Sequence, residues 1–135
     1  MGYIVGFDYG LKNIGVAMGQ QITRTASEQP SLPARDGIPN WEHLEKLLVE
    51  WRVEAAVVGL PLNMDGTDSE LSTRARKFAN RIHGRFSIPV HLMDERLSTR
   101  EAKAEAAQRG HKGDYGKNPI DAIAARLILE SWLNQ

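Results

Sequence analysis

Four acidic side chains stand where stretches of regular structure begin or end. Asp8 closes the apolar run Tyr3–Phe7, Asp94 and Glu95 follow the run Ile88–Met93, and Asp121 falls in the first turn of the last helical stretch. Carboxylates are hard oxygen donors suited to Mg²⁺ or Mn²⁺. In open α/β sheets, ligands gather at the carboxyl ends of strands. Two such ions, roughly 4 Å apart, hold the attacking and leaving oxygens of a phosphodiester. The chemistry to weigh is therefore metal-assisted phosphodiester hydrolysis. Each acid also has an ordinary reading. Asp8 precedes a Gly turn, where Asp is a common turn former. Asp121 suits the positive end of a helix whatever its role. Asp94-Glu95-Arg96 can be read as a surface ion pair of small value. Their joint placement at element ends favours a site, but spacing alone does not decide it.

Other chemistries find little support. There is no cysteine, which removes disulfides and thiolate metal sites. None of the histidines His43, His83, His91 and His111 pairs at i, i+4 as a zinc helix would require. No serine sits in a Gly-x-Ser-x-Gly elbow, and no phosphate loop of the Gly-x-x-x-x-Gly-Lys-Ser/Thr type is present. The start of the chain lacks a basic segment and does not read as a secretory signal. No apolar run reaches the roughly 18 residues of a membrane span. With 135 residues, 41% hydrophobic and 25% charged, the chain fits one globular domain over 1–135, with the cytoplasm as its default compartment. Its net charge is zero, which counts against a nucleic-acid binder. The distribution is uneven, however. Cations collect between Arg74 and Lys117 and acids between Asp36 and Glu54, so one face can be basic within a neutral total.

The elements that would position these groups follow from periodicity. Tyr3–Phe7 and Ile14–Met18 read as a hairpin, and 22–26 as a third antiparallel strand. Residues 27–40 carry Pro30, Pro33, Gly37 and Pro39 and read as a loop. Asn40 caps a helix from Trp41 to about Arg52, whose apolar residues recur at helical spacing. Residues 55–60 form a buried strand stopped by Pro61, and a second helix runs from about Ser69 to His83. A short strand at 88–93 follows. Ser98-x-x-Glu101 is a capping box opening a third helix to about Gln108. Residues 109–117 are basic and glycine-rich. Tyr115 there could stack on a base, but it reads more readily as a simply exposed side chain. Asn118 caps the last helix, with Pro119 at its first position. The order β-β-β-α-β-α-β-α-α predicts an α/β fold with a mixed sheet and helices on both faces.

Four blocks now occur in order. They are Phe7-Asp8-Tyr9-Gly10-x-Lys12-x-Ile14-Gly15-Val16-Ala17, Val58-Gly59-Leu60-Pro61-Leu62-Asn63-Met64-Asp65-Gly66-Thr67, Asp94-Glu95-Arg96-Leu97-Ser98-Thr99, and Asp121-Ala122-x-Ala124-Ala125. Together they resemble the YqgF family of bacteria, also called RuvX, over nearly the whole chain. These are proposed pre-16S rRNA nucleases with likeness to Holliday-junction resolvases. The resemblance implies an RNase-H-like fold with a five-stranded mixed sheet, a bacterial cytoplasmic protein, and maturation of the 5′ end of 16S rRNA. It implies Asp8, Glu95 and Asp121 as catalytic, metal-binding acids for Mg²⁺ or Mn²⁺. Asp94 precedes Glu95, and adjacent strand residues face opposite sides, so which one points inward stays open. Many relatives carry Arg where this chain has Asn13, with Lys12 as the nearest substitute. The strand at 55–60 ends in Gly-Leu-Pro rather than an acid, so Glu95 would supply that ligand from another strand.

The leading expectation is a metal-dependent nuclease acting on structured RNA. Lys12, Arg96, Arg100 and Lys112 would neutralise substrate phosphates. Branched DNA is the alternative substrate, and a junction resolvase would favour a homodimer with two sites. A binding module without activity is the main rival, motivated by the neutral charge and the missing acid at 55–60. An ATP-binding domain is a weaker rival, because the actin-like and kinase-like domains that open with a similar hairpin need two lobes.

Overall fold

The computed structural model describes residues 2–96 and 119–135. Its sheet is built from β1 (Tyr3–Asp8), β2 (Asn13–Gln20), β3 (Thr25–Arg35), β4 (Ile38–Pro39), β5 (Val53–Leu60) and β6 (Val90–Asp94), in the spatial order β4-β3-β2-β1-β5-β6. β1, β2 and β3 are antiparallel neighbours, whereas β5 and β6 run parallel to β1. β1 thus lies between an antiparallel half and a parallel half. The mixed sheet is as expected, and the two-residue β4 adds a sixth strand to the five.

Alternation along the strands sorts side chains into two layers. Val5 and Phe7 of β1, Ile14, Val16 and Met18 of β2, and Ala56, Val58 and Leu60 of β5 face one side. Helices α1 (Trp41–Glu50) and α2 (Glu70–Phe86) cover that side with Leu44, Leu48, Phe78 and Ile82. Ile4, Ala17, Ala55 and Val57 face the other side, under α3 (Pro119–Leu133) and its Ala125, Ile128 and Leu129. The glycines in these strands belong to the α3 side. A Cβ on Gly6 would lie 2.8 Å from Leu129 Cβ, so the absence of side chains lets α3 settle close to the sheet.

The helix starts follow their sequence signals. Asn40 Oδ1 accepts from the amides of Glu42 and His43 at 3.0 and 3.1 Å. Ser69 and Ser72 form a reciprocal capping box, and Ser69 Oγ also donates to the Pro61 carbonyl at 2.7 Å. That last bond ties the start of α2 to the end of β5.

Two expectations need correcting. The segment 27–40 is not a loop, because β3 continues to Arg35 and turns into β4. Pro30 and Pro33 are tolerated since β3 has β2 on one side and only the short β4 on the other. The pairing with β2 shifts register between Ile14 and Val16, opposite Pro30 and Ser31. Asp36 and Gly37 both have positive φ, 51° and 80°, which is the two-residue turn that Asp-Gly favours. The strand expected at 22–26 also starts later, at Thr25. Ile22 lies in the turn before it and is 73% exposed. The expected helix at 98–108, the basic segment 109–117 and the Asn118 cap lie outside the described residues. Among the described residues, no helix is long and apolar enough to cross a membrane.

Candidate functional site

Asp8 is the last residue of β1 and pairs with Gly15 of β2. Alternation from Phe7, which faces α2, turns Asp8 toward α3. Gly15 makes that approach possible. A Cβ there would run into the Asp121 carbonyl and lie 3.2 Å from Asp121 Cβ, so the first turn of α3 rests on a bare backbone. Asp121 thereby comes over the end of β1.

The choice between Asp94 and Glu95 is made by the β5–β6 register. Asp94 pairs with Leu60 and Met93 with Gly59. Paired residues of parallel strands share a face. Asp94 therefore lies on the α2 side with Leu60, and Met93 packs on the α3 side. The Glu95 amide donates to the Leu60 carbonyl at 3.2 Å, which carries the pairing one residue further. The Glu95 side chain then lies over Gly59, whose missing Cβ would collide with Glu95 Oε2 and approach Ile128 Cδ1 to 2.5 Å. Glu95 is 6% exposed, and Ser72 is the other buried polar side chain among the described residues.

The electrostatics follow from this burial. Desolvation pushes the Asp8 carboxyl well above the usual carboxylate range, reinforced by the charges of Glu95 and Asp121 and by a hydrogen bond with Glu95. Burial also pushes Glu95 up to about 7; the hydrogen bond from Asp8 works against the shift, and the charge of Asp94 adds to it. Asp121 is raised by burial. Both carboxyls are thus pushed toward holding a proton by burial, while the hydrogen bond between them acts in opposite directions on the two.

Asp94 behaves oppositely. Arg96 binds it through Nε at 2.9 Å and Nη2 at 2.6 Å to Oδ2, and this holds its carboxyl below the usual value. Arg96 Nη1 also donates to the Met64 carbonyl at 3.0 Å, so the guanidinium braces the β5–α2 loop. Of the expected phosphate-binding cations, Arg96 is thus engaged within the chain, and Lys12 is exposed in the β1–β2 turn. Arg100, Lys112 and Tyr115 lie outside the described residues.

Asp8 and Glu95 touch, whereas Asp121 acts on Asp8 through its charge. Among the described residues, no three Asp, Glu or His side chains stand close enough to form a complete metal-binding group. The donor set nevertheless suits a hard divalent cation, since all its atoms are carboxylate oxygens. Like charges buried together can be relieved by protonation or by a cation. Gly15 and Gly59 keep side chains out of the space beneath them.

On the opposite face of the same sheet edge lies a cleft that no single sequence motif marks. It measures about 240 Å³ and is lined by Tyr9, Asp36, Gly37, Ile38, Arg74, Lys77, Phe78 and Arg81. In sequence its cations are simply part of the basic stretch that begins at Arg74. Their i, i+3, i+7 spacing puts them on one stripe of α2. The Asp36-Gly37 turn that closes the cleft falls within the proline-containing segment 27–40, whose composition points to a loop.

Comparison with known proteins gives concordant results. The sequence model of the family described as "RuvX: Holliday junction resolvase" matches residues 2–135. A protein of Saccharophagus degradans, provisionally named a pre-16S rRNA nuclease, is 59% identical over 132 residues, covering 98% of this chain and 93% of its own. A Pseudomonas putida protein of the same provisional name is 59% identical over 131 residues, covering 96% and 93%. Among solved structures, the fowlpox virus resolvase in complex with Holliday-junction DNA superposes with a TM-score of 0.57 at 16% identity, covering 98% of this chain and 97% of that one. Thermus thermophilus RuvC with a Holliday-junction substrate gives 0.54 at 16% identity, covering 98% and 94%. At that level of identity the likeness is one of fold, the RNase-H-like fold expected from the sequence.

Proposed function

The chain belongs to the RuvX family, and on that premise we propose that it is a nuclease that hydrolyses phosphodiester bonds of structured precursor 16S rRNA in the cytoplasm. Asp8, Glu95 and Asp121 would hold the divalent cation. The observation that carries this reading is the buried Asp8–Glu95 pair beneath the first turn of α3, whose raised pKa values mark a carboxylate group in need of positive charge.

A Mg²⁺ or Mn²⁺ ion held by these three acids would supply Lewis acidity for activating water and for stabilising the charge that develops on the phosphoryl oxygens. The residues of the chain do the rest. Asp8 and Glu95 must be deprotonated for both to offer oxygen lone pairs, which rising pH favours; burial pushes the Glu95 carboxyl up to about 7 and raises Asp8 as well. Leu60 fixes the backbone of Glu95, and the Gly59 backbone leaves room for its side chain. Hydrolysis would form a bond from a water oxygen to phosphorus, break the bond to the 3′ oxygen and pass a proton from the water, by way of solvent, to that leaving oxygen, giving a 5′-phosphate and a 3′-hydroxyl.

The family description favours a second substrate, a four-way DNA junction. Symmetric cleavage of such a junction needs two sites and hence a homodimer. The test is cleavage of labelled precursor 16S rRNA and of a four-way junction, each with and without Mn²⁺. Asp8→Asn is expected to abolish cation-dependent cleavage while the protein stays folded. Cleavage by that variant at the wild-type rate refutes the assignment. Cleavage of the junction alone moves the proposal to DNA. RNA binding without cleavage or a cation response favours a binding module.

A further inference from the structure

We propose that the cleft between α2 and the β3–β4 turn seats a backbone phosphate of the nucleic acid whose cleaved linkage lies at Asp8. This rests on the nuclease reading and extends the substrate path to the other face of the sheet. Arg74, Lys77 and Arg81 line the cleft from one stripe of α2. Like charges at this spacing disfavour a helix by about 0.2–0.5 kcal/mol per pair, so the arrangement works against α2 unless something else uses it. Asp36 answers only Arg74, at 3.2 Å, and both partners are well exposed. Among the described residues, neither Lys77 nor Arg81 makes an ion pair. The cleft therefore carries a net charge of two positive, which suits an anion.

The floor is built rather than incidental. Tyr9 is 7% exposed and its hydroxyl donates to the Gly37 carbonyl at 2.9 Å. Gly37 has φ 80°, and its amide donates to the Leu11 carbonyl at 2.9 Å. A Cβ at Gly37 would run into the Tyr9 hydroxyl, so only glycine permits this latch. The space of about 240 Å³ is several times a water's share of about 30 Å³, which leaves room for a phosphate group.

Position connects the cleft to the acids. Asp8 and Tyr9 are consecutive, with Cα atoms about 3.8 Å apart, and alternation sends their side chains to opposite faces. A strand bound at Asp8 that crosses the end of β1 arrives at Tyr9 and the three cations. Their donors suit phosphate oxygens, and Arg does so in bidentate fashion.

The test uses the whole protein in two measurements. Precursor rRNA binding is followed in EDTA, so that no cleavage occurs, at several salt concentrations. Inorganic phosphate is titrated separately, with amide shifts of Tyr9, Gly37, Lys77 and Arg81 as the readout. Lys77→Gln and Arg81→Gln together are expected to weaken RNA binding about tenfold at 0.1 M salt and to reduce the salt slope by about 1, the counterion-release value of one phosphate. Lys46→Gln, on the exposed outer face of α1, should leave both unchanged. Phosphate should shift the four wild-type amides and not those of the double variant. RNA binding by the double variant with wild-type affinity and slope overturns the proposal. If phosphate still binds in that case, the cleft serves a free anion. If the wild type binds no nucleic acid at all, the nuclease reading fails, and the phosphate titration alone shows whether the cleft is an anion site.

Discussion

Holding Asp8 and Glu95 together has a cost that pH should reveal. A carboxyl raised in the folded state binds its proton more tightly there than in the unfolded chain. Stability from that group is then full below the unfolded pKa and falls as pH rises through the folded one. For Glu95 the window runs from its ordinary 4.5 to about 7. At about 1.36 kcal/mol per unit, the loss across the window is about 3 kcal/mol. Asp8 and Asp121 are shifted in the same direction and add to it. Asp65, Asp68 and Asp94 are shifted downward, so their contribution is lost only as pH falls below the normal carboxylate range. The two effects therefore separate on the pH axis. Urea unfolding in EDTA, from pH 5 to pH 8, should show the wild type losing no less than about 3 kcal/mol, and thermal unfolding a fall of no less than about 10 °C in Tm. Asp8→Asn removes one of the clustered charges and leaves an amide that can donate to Glu95. It should flatten the curve and exceed the wild type in stability at pH 8. Parallel curves for the two proteins, or wild-type stability that rises over this window, would refute the electrostatic account of the cluster.

Gly59→Ala places a methyl group against Glu95 Oε2 and Ile128, both flexible ends, so the fold should survive with a loss of about 1–3 kcal/mol. Displacing Glu95 by about 1 Å should lower the cleavage rate about 100-fold with little change in RNA affinity, measured by single-turnover cleavage and by binding in EDTA. Asn40→Ala removes the acceptor for two amides at the start of α1 and should cost about 1 kcal/mol in urea unfolding without altering cleavage.

Much of the fold was legible because its signals are local. The alternation of β1, β2 and β5 and the helical spacing of α1 and α2 reflect faces buried on a single core, and Asn40 and Ser69 mark the helix starts they cap. The segment 27–40 is not legible as a hairpin because its prolines outweigh Asp36-Gly37, a strong two-residue hairpin signal. An edge strand accepts proline on its open side, and whether a strand lies at the edge is a property of the assembled sheet. Asp8, Glu95 and Asp121 could be nominated from element ends and family blocks. The choice of Glu95 over Asp94 could not, because it depends on Leu60 pairing with Asp94 across two strands. The cleft was hidden for a similar reason: Tyr9, Gly37 and Arg81 meet only after folding.

The packing of α3 on bare glycine backbone also bears on when the site comes into being. Asp8 belongs to the first strand and Asp121 to the last helix, so the acids are joined by one of the longest loop closures in the chain. Chains emerge from the ribosome at about 5–20 residues per second, and α3 is the last described element to appear. Until it docks, Ile4, Ala17 and Val57 lack their cover and Asp8 lacks its third acid. A nascent or prematurely terminated chain is thus without its full carboxylate set even after the β1–β2 hairpin has formed. Any activity that needs all three acids would therefore wait until α3 has been made and has docked on the sheet.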